Sequence, residues 1–172
     1  SHIVFDQAMS DRVRHRMAIG AELPRAIEAG EMTVFYQPIF DLRTRSITGF
    51  EALLRWSHPR LGSVPPSEFI PLAEDTGAII PIGRWVLRQA CAELQALRSE
   101  NEAWSGLTMS VNLSTRQLRD PELVEEVLQT IEETGIPSSQ LTLEITESSL
   151  LYDAATSQAK VAELGALGAR IA

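Results

Sequence analysis

Residues 50–56 read Phe-Glu-Ala-Leu-Leu-Arg-Trp, an apolar run carrying one acid and one base four positions apart, Glu51 and Arg55. In a helix these two would be an ordinary surface pair. In a strand, Glu51, Leu53 and Arg55 share one face, and Ala52, Leu54 and Trp56 share the other. The flanking chain decides between them. "MTVFYQPIF" (32–40) is rich in β-branched and aromatic residues and reads as a strand. "SITGFEALL" (46–54) reads as another, and only Asp41-Leu-Arg-Thr-Arg45 separates the two. That is too short for a crossover helix, so the strands form an antiparallel hairpin. The run 50–56 is the end of a strand. A hairpin symmetric about Arg43 would set Glu51 opposite Phe35, with Gln37 on the same face.

Outward from the hairpin, residues 6–29 upstream read as helix in two pieces, interrupted around Gly20 and Pro24 and closed by Gly30. Downstream comes a Pro-rich loop (57–66), then a short helix capped by Ser67, running through Glu74 and ended by Gly77. A helix over 79–100 carries the stripe Ile82, Val86, Ala90, Leu94 and Leu97. Strands follow at 107–114 and 140–147, with a helix opened by Asp120-Pro121 and ended near Gly135 between them. A last helix (153–167), closed by Gly168, leads into the opening of another strand at 169–172. Strands alternating with helices imply parallel strands with helices packed outside, in an open doubly wound sheet or a closed barrel. No Gly-rich phosphate loop follows any strand, which disfavours a dinucleotide fold.

Composition narrows the function classes. The 172 residues suffice for one domain with a substantial core, and 44% hydrophobic with 22% charged residues is ordinary for a globular protein. A formal charge of −8 argues against binding a nucleic-acid polymer or an anionic membrane through bulk charge. A single cysteine, Cys91, rules out an internal disulfide and a cysteine-rich metal site. No apolar run approaches the ~18 residues that span a bilayer.

Ligands of α/β folds sit at the C-terminal ends of the strands. Three strand ends here carry polar groups that a purely structural strand does not need: Glu51, Asn112 in "SVNLS" and Glu144 in "LEITE". Each alone is an ordinary cap. Together, on parallel strands, they would meet at one rim as two carboxylates and an amide oxygen, a hard-oxygen set suited to Mg²⁺ or Mn²⁺. Such a site, with further carboxylates, activates water and neutralises a phosphodiester. Arg55 offers a guanidinium fork to a phosphate oxygen. Glu147, just past the Glu144 strand, is placed to orient a neighbouring loop. His15 reads as a solvated helix residue, His58 as a turn residue and Cys91 as a small core residue. Trp85 and Trp104 read as core or helix-end packing, and the acidic run 122–127 as a solvated helix face.

"YQPI" (36–39), "GFEALLRW" (49–56), "HPRLGSVPPSEFIPLAEDTGAIIPIGRWVL" (58–87), "SVNLS" (110–114) and "LEITES" (143–148) together closely resemble the EAL domain family, the bacterial phosphodiesterases that open cyclic di-GMP. The family takes its name from the triplet that here is Glu51-Ala52-Leu53. The resemblance covers residues 21–172, read as the N-terminal part of such a domain. It implies a modified TIM (βα)8 barrel with an antiparallel first strand, of which about five of the eight strands are in this chain. Residues 1–20 resemble the connecting helix that follows a GGDEF domain, or a linker from another upstream sensor domain.

By the same resemblance Glu51, Asn112 and Glu144 match metal ligands, with Glu51, Glu144 and Glu147 in catalytic roles, and Gln37 and Arg55 match positions that contact the dinucleotide. The implied reaction is Mg²⁺- or Mn²⁺-dependent attack of water on one phosphodiester, giving linear pGpG in a two-metal site. The family's next motif, Asp-Asp-Phe-Gly-Thr-Gly, would begin just past Ala172, so the site is incomplete in these residues and the segment alone is expected not to turn over. A homodimer and a cytoplasmic location, with membrane tethering of a longer parent left open, are the further expectations. The alternatives are a non-catalytic cyclic di-GMP receptor and a protein-interaction domain.

Overall fold

Helices and short strands alternate along the chain after an initial helix and hairpin. The computed structural model describes residues 7–145 and 154–172. Internal contacts divide the chain into two units, residues 1–33 with 55–79, and residues 34–54 with 80–172.

In the first unit, α1 (Gln7–Glu22) gives way to a 3₁₀ turn at Leu23–Arg25 that contains Pro24. The expected interruption of the helix is therefore present, with Ile19 and Leu23 buried beside it. Strand β2 (Ile47–His58) outruns its apolar sequence, and β3 (Gly62–Val64) folds back on it with Trp56 opposite Val64 and His58 opposite Gly62. The stretch expected as a loop over 57–66 is thus mostly a second hairpin. Two local causes explain the difference. Gly62 takes φ +73, a left-handed conformation that costs glycine little. The His58 ring also accepts the backbone N–H groups of Arg60 (3.1 Å) and Leu61 (3.0 Å) at Nδ1, holding the turn from inside.

Helix α2 (Pro66–Thr76) starts with Pro65 at the N-cap and Pro66 in its first turn, so Ser67 is not the cap. Proline is favoured there because the missing N–H would have had no helical partner. Gly77, at φ 88, ends the helix as its sequence predicts.

The second unit is built on a sheet ordered β1-β2-β4-β5-β6. Its strands are β1 (Met32–Phe40), β2, β4 (Thr108–Leu113), β5 (Leu141–Ile145) and β6 (Arg170–Ile171). β2–β4, β4–β5 and β5–β6 are all parallel. The β1–β2 turn is closed by the Asp41 N–H on Ser46 O at 2.9 Å. Its centre lies between Arg43 and Thr44, so the register symmetric about Arg43 does not hold at the turn. Arg45 absorbs the reversal at φ 57, and the Asp41 carboxylate accepts the N–H groups of Arg43 and Thr44, both at 2.8 Å.

Helix α3 (Ile79–Glu100) precedes β4. Helices α4 (Thr115–Leu118) and α5 (Leu123–Thr134) precede β5, and α6 (Ala154–Ala166) precedes β6. The α3 stripe is buried at Ile82, Val86, Ala90 and Leu94, with Cys91 beside it. Strand pairing sets Phe50 beside Met109 beside Leu141, and Ala52 beside Val111 beside Leu143. Met109, Leu141 and Leu143 are fully buried, and each such side chain contributes about 1.5–3 kcal/mol relative to exposure. That row is the covered face of the sheet. At Gly49 the neighbouring strand approaches so closely that a Cβ would lie 2.5 Å from the Thr108 carbonyl oxygen.

Candidate functional site

Period-two alternation decides what the opposite face carries. Between the buried residues of β2, β4 and β5 stand Glu51, Asn112 and Glu144. Glu51 pairs with Ser110, and Asn112 pairs with Glu144 one step further along the strands. Asn112 is exposed and the two glutamates are partly so, while Ser110 beside Glu51 is buried. The three strand ends are thus brought together, with Asn112 in the middle. Its Nδ2 donates to Glu51 Oε1 at 2.8 Å. Facing a carboxylate, the amide must present its N–H₂ group, which leaves Oδ1 as an acceptor for something else.

Gln37 lies exposed on β1. Its neighbour Tyr36 sends its hydroxyl to the Gln89 carbonyl of α3 at 3.3 Å. Alternation therefore turns Gln37 away from α3. Burial first, then the Glu93 and Cys91 charges, push the Tyr36 phenol up to about 12, so Tyr36 stays protonated near neutral pH and keeps its bond to Gln89. Arg55 belongs to the first unit, partly buried on β2. Glu147 lies outside the described residues.

The donor chemistry fits a hard divalent cation in part. Two carboxylates and an amide oxygen are ligands for Mg²⁺ or Mn²⁺, but an octahedral ion takes about six oxygens, the remainder being water, substrate or further side chains. Among the described residues no three His, Cys, Asp or Glu side chains form a metal-binding group.

Other residues singled out in the sequence fall as follows. His15 is exposed and bonded to Glu68 Oε2 at 3.0 Å. Cys91 is fully buried, and burial pushes its thiol up to about 12. Trp104 lies in a 3₁₀ turn after α3 and is 39% exposed, so it is not core. The acidic run 122–127 is not wholly a solvated face, because Glu126 turns inward onto Arg84 of α3. Burial pushes the Glu126 carboxyl up, against the lowering effect of that guanidinium. Arg84 also bonds Glu122 at 2.8 Å, and these residues line a charged cleft of 310 Å³ between α3 and α5.

Sequence reasoning missed Gln117. Ser114 and Gln117 form a reciprocal capping box on α4, and Gln117 is buried. The signature Ser-x-x-Gln was legible at 114–117, but a four-residue helix leaves no periodic pattern to attach it to. Among the described residues no helix is long and apolar enough to cross a membrane.

Comparison with known proteins adds the relationships. The chain is 44% identical over 147 residues to the oxygen sensor protein DosP of Escherichia coli, covering 86% of this chain and 18% of that protein. It is 34% identical over 168 residues to the bifunctional diguanylate cyclase/cyclic di-GMP phosphodiesterase MucR of Pseudomonas aeruginosa, covering 97% of this chain and 24% of MucR. The chain therefore spans no more than about a quarter of these relatives. A solved structure of the MucR phosphodiesterase in complex with c-di-GMP superposes with a TM-score of 0.83 at 36% identity, over 90% of this chain and 62% of that one. Its mixed α/β fold, with parallel strands and flanking helices, is the TIM-barrel-like fold seen here in part. The EAL domain model matches residues 21–172, and the chain belongs to the EAL domain family.

Proposed function

We propose that this chain supplies part of the active site of a metal-dependent phosphodiesterase that hydrolyses cyclic di-GMP to linear pGpG. The observation that carries the reading is the row Glu51–Asn112–Glu144 on three neighbouring parallel strands, tied by the Asn112–Glu51 hydrogen bond. Membership of the EAL family and likeness to a MucR phosphodiesterase solved in complex with c-di-GMP support the same substrate.

Glu51, Glu144 and the Asn112 Oδ1 would hold Mg²⁺ or Mn²⁺. When bound, the cation lowers the pKa of a coordinated water and neutralises charge on the phosphate. The chain's own residues do the rest. Asn112 orients the Glu51 carboxylate and is oriented by it. Gln37 offers an amide on the face away from α3, able to hydrogen-bond a guanine edge or a ribose. Arg55 suits a non-bridging phosphate oxygen through a bidentate fork, and Glu147 orders a neighbouring loop. A bound cation would need further oxygens besides these three, and the active species is the full-length protein, a homodimer carrying an upstream GGDEF or sensor domain and working in the cytoplasm.

The rival reading is a receptor that binds cyclic di-GMP without opening it. The substrate contacts given to Gln37 and Arg55 would serve binding whether or not the bond is opened. Mn²⁺-dependent hydrolysis by the full-length protein, abolished in Glu51→Ala, is the expected result. Binding without turnover would transfer the protein to the receptor class, and absence of both would remove the substrate.

A further inference from the structure

The end of β4 is held from behind by a device that the reaction chemistry does not require. Ser114 follows Asn112 by two residues and is the N-cap of α4. Its Oγ accepts the Gln117 N–H at 3.2 Å, and the Gln117 side-chain oxygen accepts the Ser114 N–H at 3.0 Å. The chain reversal beyond Asn112 is therefore closed by two reciprocal bonds, and Leu118 next to it is fully buried. Gln117 in turn rests on α3 at a position with no side chain. A Cβ on Gly83 would lie 1.9 Å from Gln117 Nε2 and 2.7 Å from its Cδ. Gly83 sits in a helix interior, where glycine is unfavourable relative to alanine, so space for Gln117 is the physical reason for it.

We infer that Gln117, seated on Gly83 and locked to Ser114, is a positioning residue that fixes the Asn112 amide against Glu51. The inference rests on the functional reading above only for its kinetic consequence. The geometric consequence stands alone. Asn112 is held along β4 by the sheet ladder, but the direction in which the chain leaves the strand is set one and two residues later. The Ser114–Gln117 box fixes that direction, and Gly83 registers it to α3. The same helix receives the Tyr36 hydroxyl, so α3 references both β1, which carries Gln37, and the end of β4.

The test uses Gln117→Ala, Gln117→Glu, Gly83→Ala and the double variant in the full-length protein. A crystal structure of Gln117→Ala is expected to show the Asn112 Nδ2–Glu51 Oε1 contact broken, with Mn²⁺ affinity by electron paramagnetic resonance lowered. In turnover, kcat is expected to fall by roughly tenfold through misplacement of the Asn112–Glu51 pair, with KM little changed. Gln117→Glu keeps the acceptor for the Ser114 N–H and is expected to recover most of kcat. Gly83→Ala is expected to lower kcat in the parent and have no further effect in Gln117→Ala, where the colliding atoms are gone. An unmoved Asn112–Glu51 contact in Gln117→Ala, additive effects in the double variant, or loss explained wholly by a lower folded fraction would each overturn the assignment. Should the parent protein not hydrolyse cyclic di-GMP, the functional reading fails while the crystallographic distance still decides the positioning role.

Discussion

Asn112 donates its amide to the Glu51 carboxylate at 2.8 Å across sixty-one residues of sequence, between neighbouring parallel strands. A hydrogen bond to an ionised partner is worth about 1.5–3 kcal/mol. Replacing Asn112 by Leu, of similar size, removes both the donor and Oδ1. Cyclic di-GMP hydrolysis by the full-length protein is expected to fall by roughly 10- to 100-fold, measured beside a thermal melt that confirms folding. A rate equal to the parent's would take Asn112 out of the site.

Gly49 faces Thr108 on β4, where an added Cβ would meet the side-chain oxygen at 2.3 Å and the backbone oxygen at 2.5 Å. A side chain can move; the carbonyl of a paired strand cannot without breaking the ladder. Gly49→Ala is expected to destabilise the fold by about 1–3 kcal/mol or more, the range for overpacking. Thr108→Ala, which removes the side-chain oxygen and leaves the carbonyl, should give no relief in the same urea titrations. Rescue by that second change would show the side chain alone to be the obstacle.

Trp56 is 1% exposed and its indole N–H donates to Glu31 Oε2 at 3.0 Å. Truncating Glu31 leaves a buried donor without an acceptor, which costs about 1–3 kcal/mol. Calorimetry of Glu31→Ala, Trp56→Phe and the pair should show a smaller loss for Glu31→Ala once the indole is gone. Additive losses would mean that the carboxylate stabilises through other contacts.

Asp41 accepts the backbone N–H of Thr44, then its hydroxyl, and the N–H of Arg43, which together hold its carboxyl below the ordinary aspartate value. A folded-state pKa depressed below the unfolded one contributes stability above the unfolded pKa, lost as pH falls through the folded one. Protection of the β1–β2 turn amides is therefore expected to weaken on acidification below the usual aspartate range. In Asp41→Ala hydrogen exchange at the turn should be faster near neutrality and lose this acid dependence. An identical pH profile in both proteins would remove Asp41 from the turn's stability.

The parallel β/α order was legible because connection length admits only one pairing. Five residues cannot cross a sheet, so β1 and β2 must form a hairpin; the longer helical segments can cross, so later strands run parallel. β3 was not legible. Its hairpin depends on the His58 ring accepting two backbone N–H groups of its own turn, and a proline-rich stretch gives no sign of that. The α2 cap was misplaced because Ser67 is a better capping residue than Pro65 in isolation, whereas the proline pair fixes the entry two residues sooner. Glu126 was read as solvated because an acidic run carries no information about a guanidinium on another helix.

Alternation along each strand, a property of local sequence, determined that Glu51, Asn112 and Glu144 stand opposite the apolar rows of β2, β4 and β5. Sequence likewise supplied their hard-oxygen chemistry and the family resemblance. Tertiary structure alone decided which of them meet. The register setting Glu51 beside Ser110, rather than beside Asn112, lets the longer amide reach back diagonally to the carboxylate. The empty position at Gly83, which lets Gln117 close the turn behind Asn112, was equally invisible. Register and close approach arise from packing between segments far apart in the chain, and no local pattern encodes that distance.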